Sequence, residues 1–496
     1  MFLVIVLLCV MITKLLLGAC ALTAGFASAE VERPPNIVYV MTDDQRWDTF
    51  GCYGRPEFKT TNIDKLSAEG VTFDNAHYAV AICTPSRVTV MTGRYFASHE
   101  AGFTYPYNKS VSREDFQDSY HAILKKAGYR SGFIGKYGVP VVGGGREHFD
   151  FFAQRNHYDK PKNDPVMDHI YRADRDPKER TLRKGDAMIH FLDTQPKGQP
   201  FVLSVSFDAV KNDRDDDMYG PDEAVFANQE MSVPGNWTPV NENFPDVVKN
   251  NARGVRLHKH MCSTPELYQK LARRFATQGL TVDNQVGRLI EKLEEMGVLD
   301  NTVIIYTSDN GRFHGSHGMF DKCLLYEEAT KAPLIIWDGR VAPEKRGFRV
   351  NELVSSADYA PTILGLAGLD APESMQGRDI SPLINQTVKE GEWRDAVFME
   401  NLFIEENFEA IIHKRDQAQA NADMIEGNRS YRSRGIRTKK YKYFIYFEHR
   451  PVIEELYDLE NDPLEQENLV NHADYQEVLA ELREKTSALH QEYAAH

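Results

Sequence analysis

Three short runs of apolar, β-favouring residues constrain the fold of this chain more than any other feature. They are Asn36 to Thr42, Phe201 to Phe207 and Thr302 to Thr307, and Arg130 to Gly135 is a shorter run of the same kind. Strands that are apolar on both faces are typical of a parallel sheet that helices cover on each side.

Helical segments separate these runs along the chain. We predict helices over Asp64 to Glu69, Glu114 to Ala127 and Pro265 to Met296. Strands that alternate with helices predict an α/β fold class, with a large, mixed but mostly parallel sheet sandwiched by helices. Ligands of such sheets bind outside the carboxyl ends of the strands.

The pattern changes near Arg394, and we predict a catalytic domain over residues 30–393 and a smaller C-terminal subdomain over residues 394–496. Three short strands, a turn-rich stretch and a final helix predict an α+β subdomain with an antiparallel sheet. These elements are Val397 to Glu400, Gly435 to Thr438, Tyr441 to Phe447 and the helix Tyr475 to His490.

The N-terminus, residues 1–29, is predicted to be a cleaved signal peptide. Two apolar stretches flank Lys14 and lead to Ala27-Ser28-Ala29, which fits a small-x-small cleavage site. We therefore expect a secreted or periplasmic protein, with translation starting at Met11, because that start gives one basic region and one apolar core. A lipid anchor at Cys20 is the alternative. No later segment is apolar for the ~20 residues of a membrane span.

Charge and cysteine content exclude several classes of protein. The formal net charge is −15, which argues against a nucleic-acid partner. An acidic protein that binds an anion must also build a local positive pocket. Beyond the signal segment the chain keeps Cys52, Cys83, Cys262 and Cys323, without a C-x-x-C pair. Disulfides therefore do not define the fold, and a zinc cluster is not expected.

Acidic pairs follow two of the predicted strands. Asp43 and Asp44 come directly after the first run, and Asp309 and Asn310 follow the third. These side chains offer only hard oxygen ligands, which suit Ca²⁺ or Mg²⁺ rather than zinc. The alternative for either pair alone is a turn or a helix cap. Two pairs at two strand ends of one sheet favour the metal site.

The pentapeptide Cys83-Thr84-Pro85-Ser86-Arg87 opens another predicted helix. Arg87 lies one helical turn from Cys83, so both side chains face the same way. Lys136 follows the strand that ends at Gly135, and Lys322 follows Asp309 by a loop. Without a wider pattern, a buried structural cysteine and solvated lysines are the simpler interpretation.

The order of these motifs resembles the type I sulfatases of the alkaline phosphatase superfamily over nearly all of the mature chain. The matching segments are Asn36 to Asp44, Gly51 to Gly54, Cys83 to Arg87 with Thr92 to Tyr95, Ala127 to Tyr129, Ile134 to Lys136, Thr307 to Gly311, His317-Gly318, Lys322, Tyr326 to Glu328, Pro333 to Ile336 and Leu456 to Leu459 with Asp462-Pro463.

The resemblance implies a sulfuric ester hydrolase that acts through a modified cysteine. A maturase would oxidise Cys83 to formylglycine (3-oxoalanine), whose hydrate attacks the sulfur of a sulfated saccharide. Residue 83 and the four oxygen ligands, Asp43, Asp44, Asp309 and Asn310, would hold one Ca²⁺. Arg87, Lys136 and Lys322 would neutralise charge on the sulfate oxygens. One divalent ion and three cations would then form the positive pocket that an acidic protein needs.

Two family histidines are absent from this chain. Many members have a histidine where Gly138 stands, and a second one where the middle strand here leads to Lys211. Lys211 is a candidate sulfate ligand, but an unperturbed lysine is a weak proton donor at neutral pH. His317 remains a candidate acid for the leaving alcohol, and its alternative is a loop histidine that orients Lys322.

Further candidate substrate contacts are Arg312, His314 and His99, which lie where such enzymes contact the substrate beyond the sulfate; a surface role is the alternative for each. Asp213 to Asp217 resembles a second calcium loop, although we favour a solvated charge run. Two other functions stay open. One is a phosphonate or phosphate monoester hydrolase of the same superfamily. The other is a catalytically impaired protein that only binds sulfated glycan.

Overall fold

A computed structural model of the chain describes residues 33–154, 179–211, 222–239, 242–389, 391–405, 410, 413 and 415–495. Within these residues the strands are β1 (Asn36–Thr42), β2 (Val71–Phe73), β3 (Ala76–His77), β4 (Arg130–Gly135), β5 (Phe151–Ala153), β6 (Phe201–Ser206), β7 (Thr302–Ser308), β8 (Leu334–Asp338), β9 (Phe348–Val350), β10 (Val354–Ser355), β11 (Ala396–Asn401), β12 (Ser433–Thr438), β13 (Tyr441–Tyr446) and β14 (Ile453–Asp458).

Eight strands form one large sheet in the order β5-β4-β6-β1-β7-β8-β2-β9. β1 runs parallel to both of its neighbours, β6 and β7, whereas β8 runs antiparallel to β7 and β2. Ile37, Tyr39 and Met41 enter one hydrophobic core, and Val38 and Val40 enter another. Burial on both faces is what the continuous apolar runs predict. The predicted fold class, a mixed and mostly parallel sheet between helices, is confirmed.

Helices contribute residues to the hydrophobic cores on both faces of this sheet. The α-helices of the described residues are α1 (Thr61–Ala68), α2 (Cys83–Thr92), α3 (Phe96–His99), α4 (Tyr120–Lys126), α5 (Arg180–Asp193), α6 (Glu223–Phe226), α7 (Asp246–Asn251), α8 (Arg253–Met261), α9 (Pro265–Glu295), α10 (Glu327–Thr330), α11 (Tyr359–Leu366), α12 (Ser381–Ile384), α13 (Gln417–Glu426) and α14 (Gln476–Ala494). Short 3-10 helices span Gly51–Tyr53, Pro56–Phe58, Asp115–Asp118, Arg146–His148, Leu299–Asn301, Pro343–Lys345, Ser356–Asp358 and Ala473–Tyr475.

Local sequence signals explain where individual helices begin. The longest helix, α9, starts with Pro265 in its first turn, and the hydroxyl of Thr264 accepts a hydrogen bond from the Leu267 amide at 3.3 Å. The prediction of a single helix over Glu114 to Ala127 is wrong. A 3-10 turn ends before Ser119, which then caps the separate helix α4 by accepting from the Ala122 amide.

The second sheet is antiparallel and has the order β11-β12-β13-β14. Its first strand begins at Ala396, and α14 packs on β11, β12 and β13. The last strand, β14, falls where the sequence indicated turns. The described residues from Pro35 onwards cluster as one compact unit, so the domain boundary at residues 393 and 394 stays a prediction.

Several sequence-based predictions fall outside the described residues: the signal segment 1–29, the start at Met11, the anchor at Cys20 and the acidic run Asp213 to Asp217. Within the described part of the chain, no helix is long and apolar enough to cross a membrane. The four cysteines described there all carry free thiols.

Candidate active site

The topology brings the predicted strand ends to one edge of the sheet. Thr42 is paired with Ser308 in the parallel register of β1 and β7, so Asp43-Asp44 and Asp309-Asn310 leave the sheet side by side. The Asp309 amide donates to the Thr42 carbonyl at 3.0 Å, and the Asp44 amide donates to Oδ1 of Asp309 at 3.0 Å. The backbone itself therefore fixes the two acidic pairs against each other.

The loop after β6 completes this edge. The Asp43 amide donates to the Ala209 carbonyl at 2.8 Å, and the Val210 amide donates back to the Asp43 carbonyl at 3.0 Å. On the other side of β6, the Lys136 amide donates to the Ser206 carbonyl at 2.9 Å. Lys136 and Lys211 are thus held at the same sheet edge as the acidic pairs.

A buried cluster of oxygen donors meets the cysteine at this edge. One ligand atom from each of Asp43, Asp44, Asp309 and Cys83 lies within 4.8 Å of the other three, and all four residues are buried. Asn310 joins them, since its Nδ2 donates to Oδ1 of Asp44 at 2.8 Å. The group could bind a metal ion, and its carboxylate and amide oxygens fit a hard divalent cation.

Cys83 is the first residue of α2. Its Sγ lies 3.4 Å from Oδ1 of Asp43, and it accepts from Nζ of Lys322 at 2.9 Å. Ile82 precedes the helix without a side-chain cap, and the left-handed Gly93 ends it. The uncapped N-terminal amides and the helix dipole favour an anion beside Cys83.

Arg87 binds Asp309 of the carboxylate cluster. Its Nε and Nη2 donate to Oδ2 of Asp309 at 3.0 and 2.7 Å, and its Nη1 donates to the Ser206 hydroxyl. The guanidinium is almost completely buried. Ser206 was missed by the sequence analysis, although its position at the end of β6 was a usable signal.

Two lysines pair with the acidic residues. Nζ of Lys136 contacts Asp43, and Nζ of Lys322 contacts Asp44 and donates to Oδ1 of Asn310 at 3.3 Å. Burial acts to lower the pKa of Lys322, but Asp44 raises it well above the usual value. Burial also acts to lower the pKa of Lys211, but nearby groups that include Cys83 raise it. These lysines remain protonated at neutral pH.

The electrostatics make the thiol of Cys83 a poor nucleophile. Burial and the neighbouring Asp43 raise its pKa, whereas a reactive cysteine needs a lowered pKa. Burial and Asp309 raise the pKa of Asp43 to about 6. Burial and Asp43 therefore favour the neutral form of this thiol.

Arg312 lies inside the site rather than on its surface. Its Nη1 donates to Oδ2 of Asp44 at 2.6 Å, and its Cζ lies 4.3 Å from the ring centroid of Phe320. The side chain is fully buried. The surface alternative is wrong for Arg312, and its contact is with a carboxylate of the cluster.

His317 belongs to a separate buried cluster. Its Nε2 lies 3.0 Å from Nδ2 of Asn236 and 3.5 Å from Oε2 of Glu328. Burial acts to lower its pKa, but Glu328 raises it above the usual value. Among the described residues, no hydrogen bond or ion pair joins His317 to Cys83 or Lys322.

The two histidines that we predicted as substrate contacts, His99 and His314, are packed within the protein. Nε2 of His99 lies 3.1 Å from the Thr89 hydroxyl, and its Nδ1 accepts from the Ala101 amide at 3.0 Å. The His314 ring packs edge-on against Phe275, with 4.0 Å between centroids. Burial lowers the pKa of both rings, that of His99 to about 3. Both are therefore neutral and neither is at the surface.

A histidine at Gly138, where many family members have one, would require Arg87 to shift. The φ of Gly138 is +62°, and a Cβ at this position would lie 2.9 Å from Cδ of Arg87. A side chain here would be strained and would press on a residue that contacts Asp309. The departure from the family pattern is built into the backbone.

Two family models and several curated proteins match this chain. Residues 35–369 match the Sulfatase family model, and residues 423–492 match the C-terminal model of N-sulphoglucosamine sulphohydrolase. An N-acetylglucosamine-6-O-sulfatase of Bacteroides thetaiotaomicron is 29% identical over 96% of this chain and 90% of its own. Human N-acetylglucosamine-6-sulfatase is 29% identical over 78% of this chain and 70% of its own.

Solved structures share the fold. A protein solved in complex with its substrate D-glucosamine-2-N,6-O-disulfate superposes with a TM-score of 0.75 at 24% identity, over 93% of this chain and 99% of its own. The phosphonate monoester hydrolase of Silicibacter pomeroyi gives a TM-score of 0.71 at 18% identity, over 92% of this chain and 96% of its own. The family model covers most of the chain, and the chain belongs to the sulfatase family of the alkaline phosphatase superfamily.

Proposed function

We propose that this enzyme removes sulfate from a sulfated saccharide, and that 6-O-sulfated glucosamine is the sugar. The observation that carries the proposal is the position of residue 83, at a helix N-terminus in contact with Lys322 and beside the cluster Asp43, Asp44, Asp309 and Asn310. The names of the relatives that match most of the chain support the choice of sugar.

We propose that the four oxygen ligands hold one Ca²⁺. When bound, the ion would supply a Lewis acid that polarises the sulfate and favours an ionised oxygen at residue 83. The donor set supports this choice because it contains only carboxylates and an amide. Chelator treatment followed by Ca²⁺ or Mg²⁺ tests it. We expect Ca²⁺ to restore activity and to raise the melting temperature, since a ligand of the folded state stabilises it.

Formylglycine at position 83 would supply an aldehyde hydrate in place of the thiol. The raised pKa of Cys83 supports this, because the unmodified thiol is a poor nucleophile here. Cys83 is only 5% exposed, so we expect the maturase to act before the chain folds.

The cationic side chains bind and orient the sulfate in this proposal. Lys136 and Lys322 flank residue 83 and remain protonated. They would therefore neutralise the negative charge on the sulfate oxygens while the alcohol leaves. Arg87 contacts Asp309 and would hold that carboxylate in place. We assign Lys211 to sulfate binding, because its raised pKa makes it a poor proton donor.

Sulfate release from defined saccharides tests the proposed reaction. The panel contains glucosamine 6-sulfate, its N-sulfated form, galactosamine 6-sulfate and an aryl sulfate. We expect the 6-sulfated glucosamines to be the best substrates. The Cys83→Ala variant is the matched control, and residual sulfate release by that variant would contradict the proposal.

A second candidate is hydrolysis of phosphonate or phosphate monoesters. The fold shared with the phosphonate monoester hydrolase supports it. The ratio of kcat/KM on aryl sulfate to that on aryl phosphate and phenylphosphonate separates the two functions. A protein that binds sulfated glycan without turning it over would instead show affinity and no release.

We also propose export through the signal peptide 1–29. N-terminal sequencing of the mature protein tests it, and the expected first residue is Glu30. A mature protein that retains residues 1–29 would contradict it.

A further inference from the structure

Helix α8, Arg253–Met261, is a basic surface helix in an acidic protein. It contains Arg253, Arg256, Lys259 and two histidines and has no acidic residue, whereas the whole chain carries a net charge of −15. Arg256, Lys259 and His260 are exposed and Arg253 is partly exposed. Their spacing of three, four and seven residues places them along adjoining rows of one helix face.

The start of α8 packs directly on the loop that carries Lys322. The Phe320 amide donates to the Gly254 carbonyl at 3.1 Å. A Cβ at Gly254 would lie 3.3 Å from the Asp321 amide nitrogen. The helix therefore begins beside the two residues that precede Lys322, and its remaining ~10 Å leads away from them.

Alternating charges connect the carboxylate cluster to this helix. Arg312 pairs with Asp44 at 2.6 Å and with Asp321 at 3.6 Å. Arg253 then pairs with Asp321 at 3.1 Å and with Glu405 at 3.2 Å, and Glu405 also contacts Arg256. Side-chain exposure rises from 0% at Arg312 to 38% at Arg253 and 50% at Arg256. The series thus runs from the site to the surface.

We propose that α8 binds the anionic saccharide chain that extends from the sulfated sugar in the active site. The inference rests on the proposed function, because it needs a saccharide at residue 83. The net negative charge of the protein repels a polyanion, so binding needs a local concentration of positive charge. Guanidinium groups bind sulfate and carboxylate oxygens with two parallel hydrogen bonds. Glu405 and Asp321 offset only part of the charge of Arg253, Arg256 and Lys259, and Asp321 also pairs with Arg312.

Lys259→Glu is the cleanest test, because no hydrogen bond or ion pair of the Lys259 side chain occurs among the described residues. Lys65→Glu is the matched control, since Lys65 is also an exposed lysine in the last turn of a helix. Each variant is assayed on glucosamine 6-sulfate and on a heparin-derived tetrasaccharide that ends in this sugar. Elution from heparin resin in a NaCl gradient is measured separately.

We expect Lys259→Glu to raise KM for the tetrasaccharide about threefold or more and to leave KM for the monosaccharide unchanged. The variant should also elute from heparin resin at a lower NaCl concentration than the unchanged protein. Lys65→Glu should change none of these. Equal effects of both variants, or equal effects of Lys259→Glu on both substrates, would overturn the inference. If neither substrate is cleaved, the proposed function fails, while the heparin elution still reports on α8.

Discussion

Nζ of Lys322 lies 2.9 Å from Sγ of Cys83 and also contacts the side chains of Asp44 and Asn310. One ammonium group therefore joins the residue proposed as nucleophile to both acidic strand ends. Its side chain is 8% exposed, so its charge acts in a poorly solvated environment, where electrostatic interactions are strong.

Replacing Lys322 tests its role in charge neutralisation. We expect Lys322→Met to lower kcat/KM for sulfate release by about 100-fold or more, because a preorganised cation beside the reacting group is lost. The control is Lys331→Met, at the lysine that directly follows α10 and whose Nζ sits 4.1 Å from the Trp47 ring centroid. An equal loss in both variants would contradict the proposed role.

Arg312 is predicted to stabilise the fold through Asp44. Arg312→Met leaves this buried carboxylate with one cation fewer, and breaking a buried ion pair costs about 3–5 kcal/mol. We expect a large fall in the free energy of unfolding, measured by urea denaturation. Arg256→Met removes an exposed arginine and should cost less than about 1 kcal/mol. A small effect at Arg312 would show that the pair contributes little.

Gly138 and Gly128 separate steric contact from backbone strain. Both have positive φ, but only a Cβ at Gly138 meets Arg87, whereas a Cβ at Gly128 meets nothing within 4 Å. We expect both alanine variants to lose about 1 kcal/mol of stability from the left-handed backbone. Gly138→Ala should in addition lower kcat, because Arg87 shifts on Asp309. Equal activities of the two variants would argue against this steric account.

The pair of His317 and Glu328 predicts a pH-dependent contribution to stability. Glu328 raises the pKa of His317 against the effect of burial, and the pKa of Glu328 falls to about 2 in spite of burial, chiefly because of His317. The histidine contributes fully below its unfolded pKa of about 6.5 and loses its contribution as pH rises through the folded value. The glutamate contributes above about 4.5 and loses its contribution as pH falls towards the folded value.

His317→Gln should therefore be destabilised most near pH 5.5, by about 1–3 kcal/mol, and least near pH 9. Unfolding by urea at a series of pH values measures the difference from the unchanged protein. A difference that stays constant across this range would contradict the ion pair.

The long strands were predictable because each carries enough apolar residues to be buried on both faces. β1 and β4 match their predicted bounds, and β6 and β7 each differ by one residue at the end. Strands such as β2 and β9 span only three residues, and so short a segment carries no periodicity. β14 was missed because its charged residues, Glu454 and Glu455, conceal the strand pattern.

The acidic pairs were predictable because parallel strand ends meet at one edge of the sheet. The burial of Arg312 was not predictable from the sequence. It depends on contacts with Asp44, which is distant in sequence, and with Phe320, which meets Arg312 only in the folded loop. The same is true of His317, whose partners Asn236 and Glu328 come from different segments. Long-range pairing of single charged residues leaves no local pattern.

The most direct test of the account combines mass spectrometry of the peptide that contains Cys83 with sulfate release by the same preparation. The protein is expressed with and without a formylglycine-generating maturase. We predict that the aldehyde appears at residue 83 and that the rate of sulfate release rises in proportion to the converted fraction. Sulfate release by protein with unmodified Cys83, or fully converted protein that releases none, would contradict the central claim.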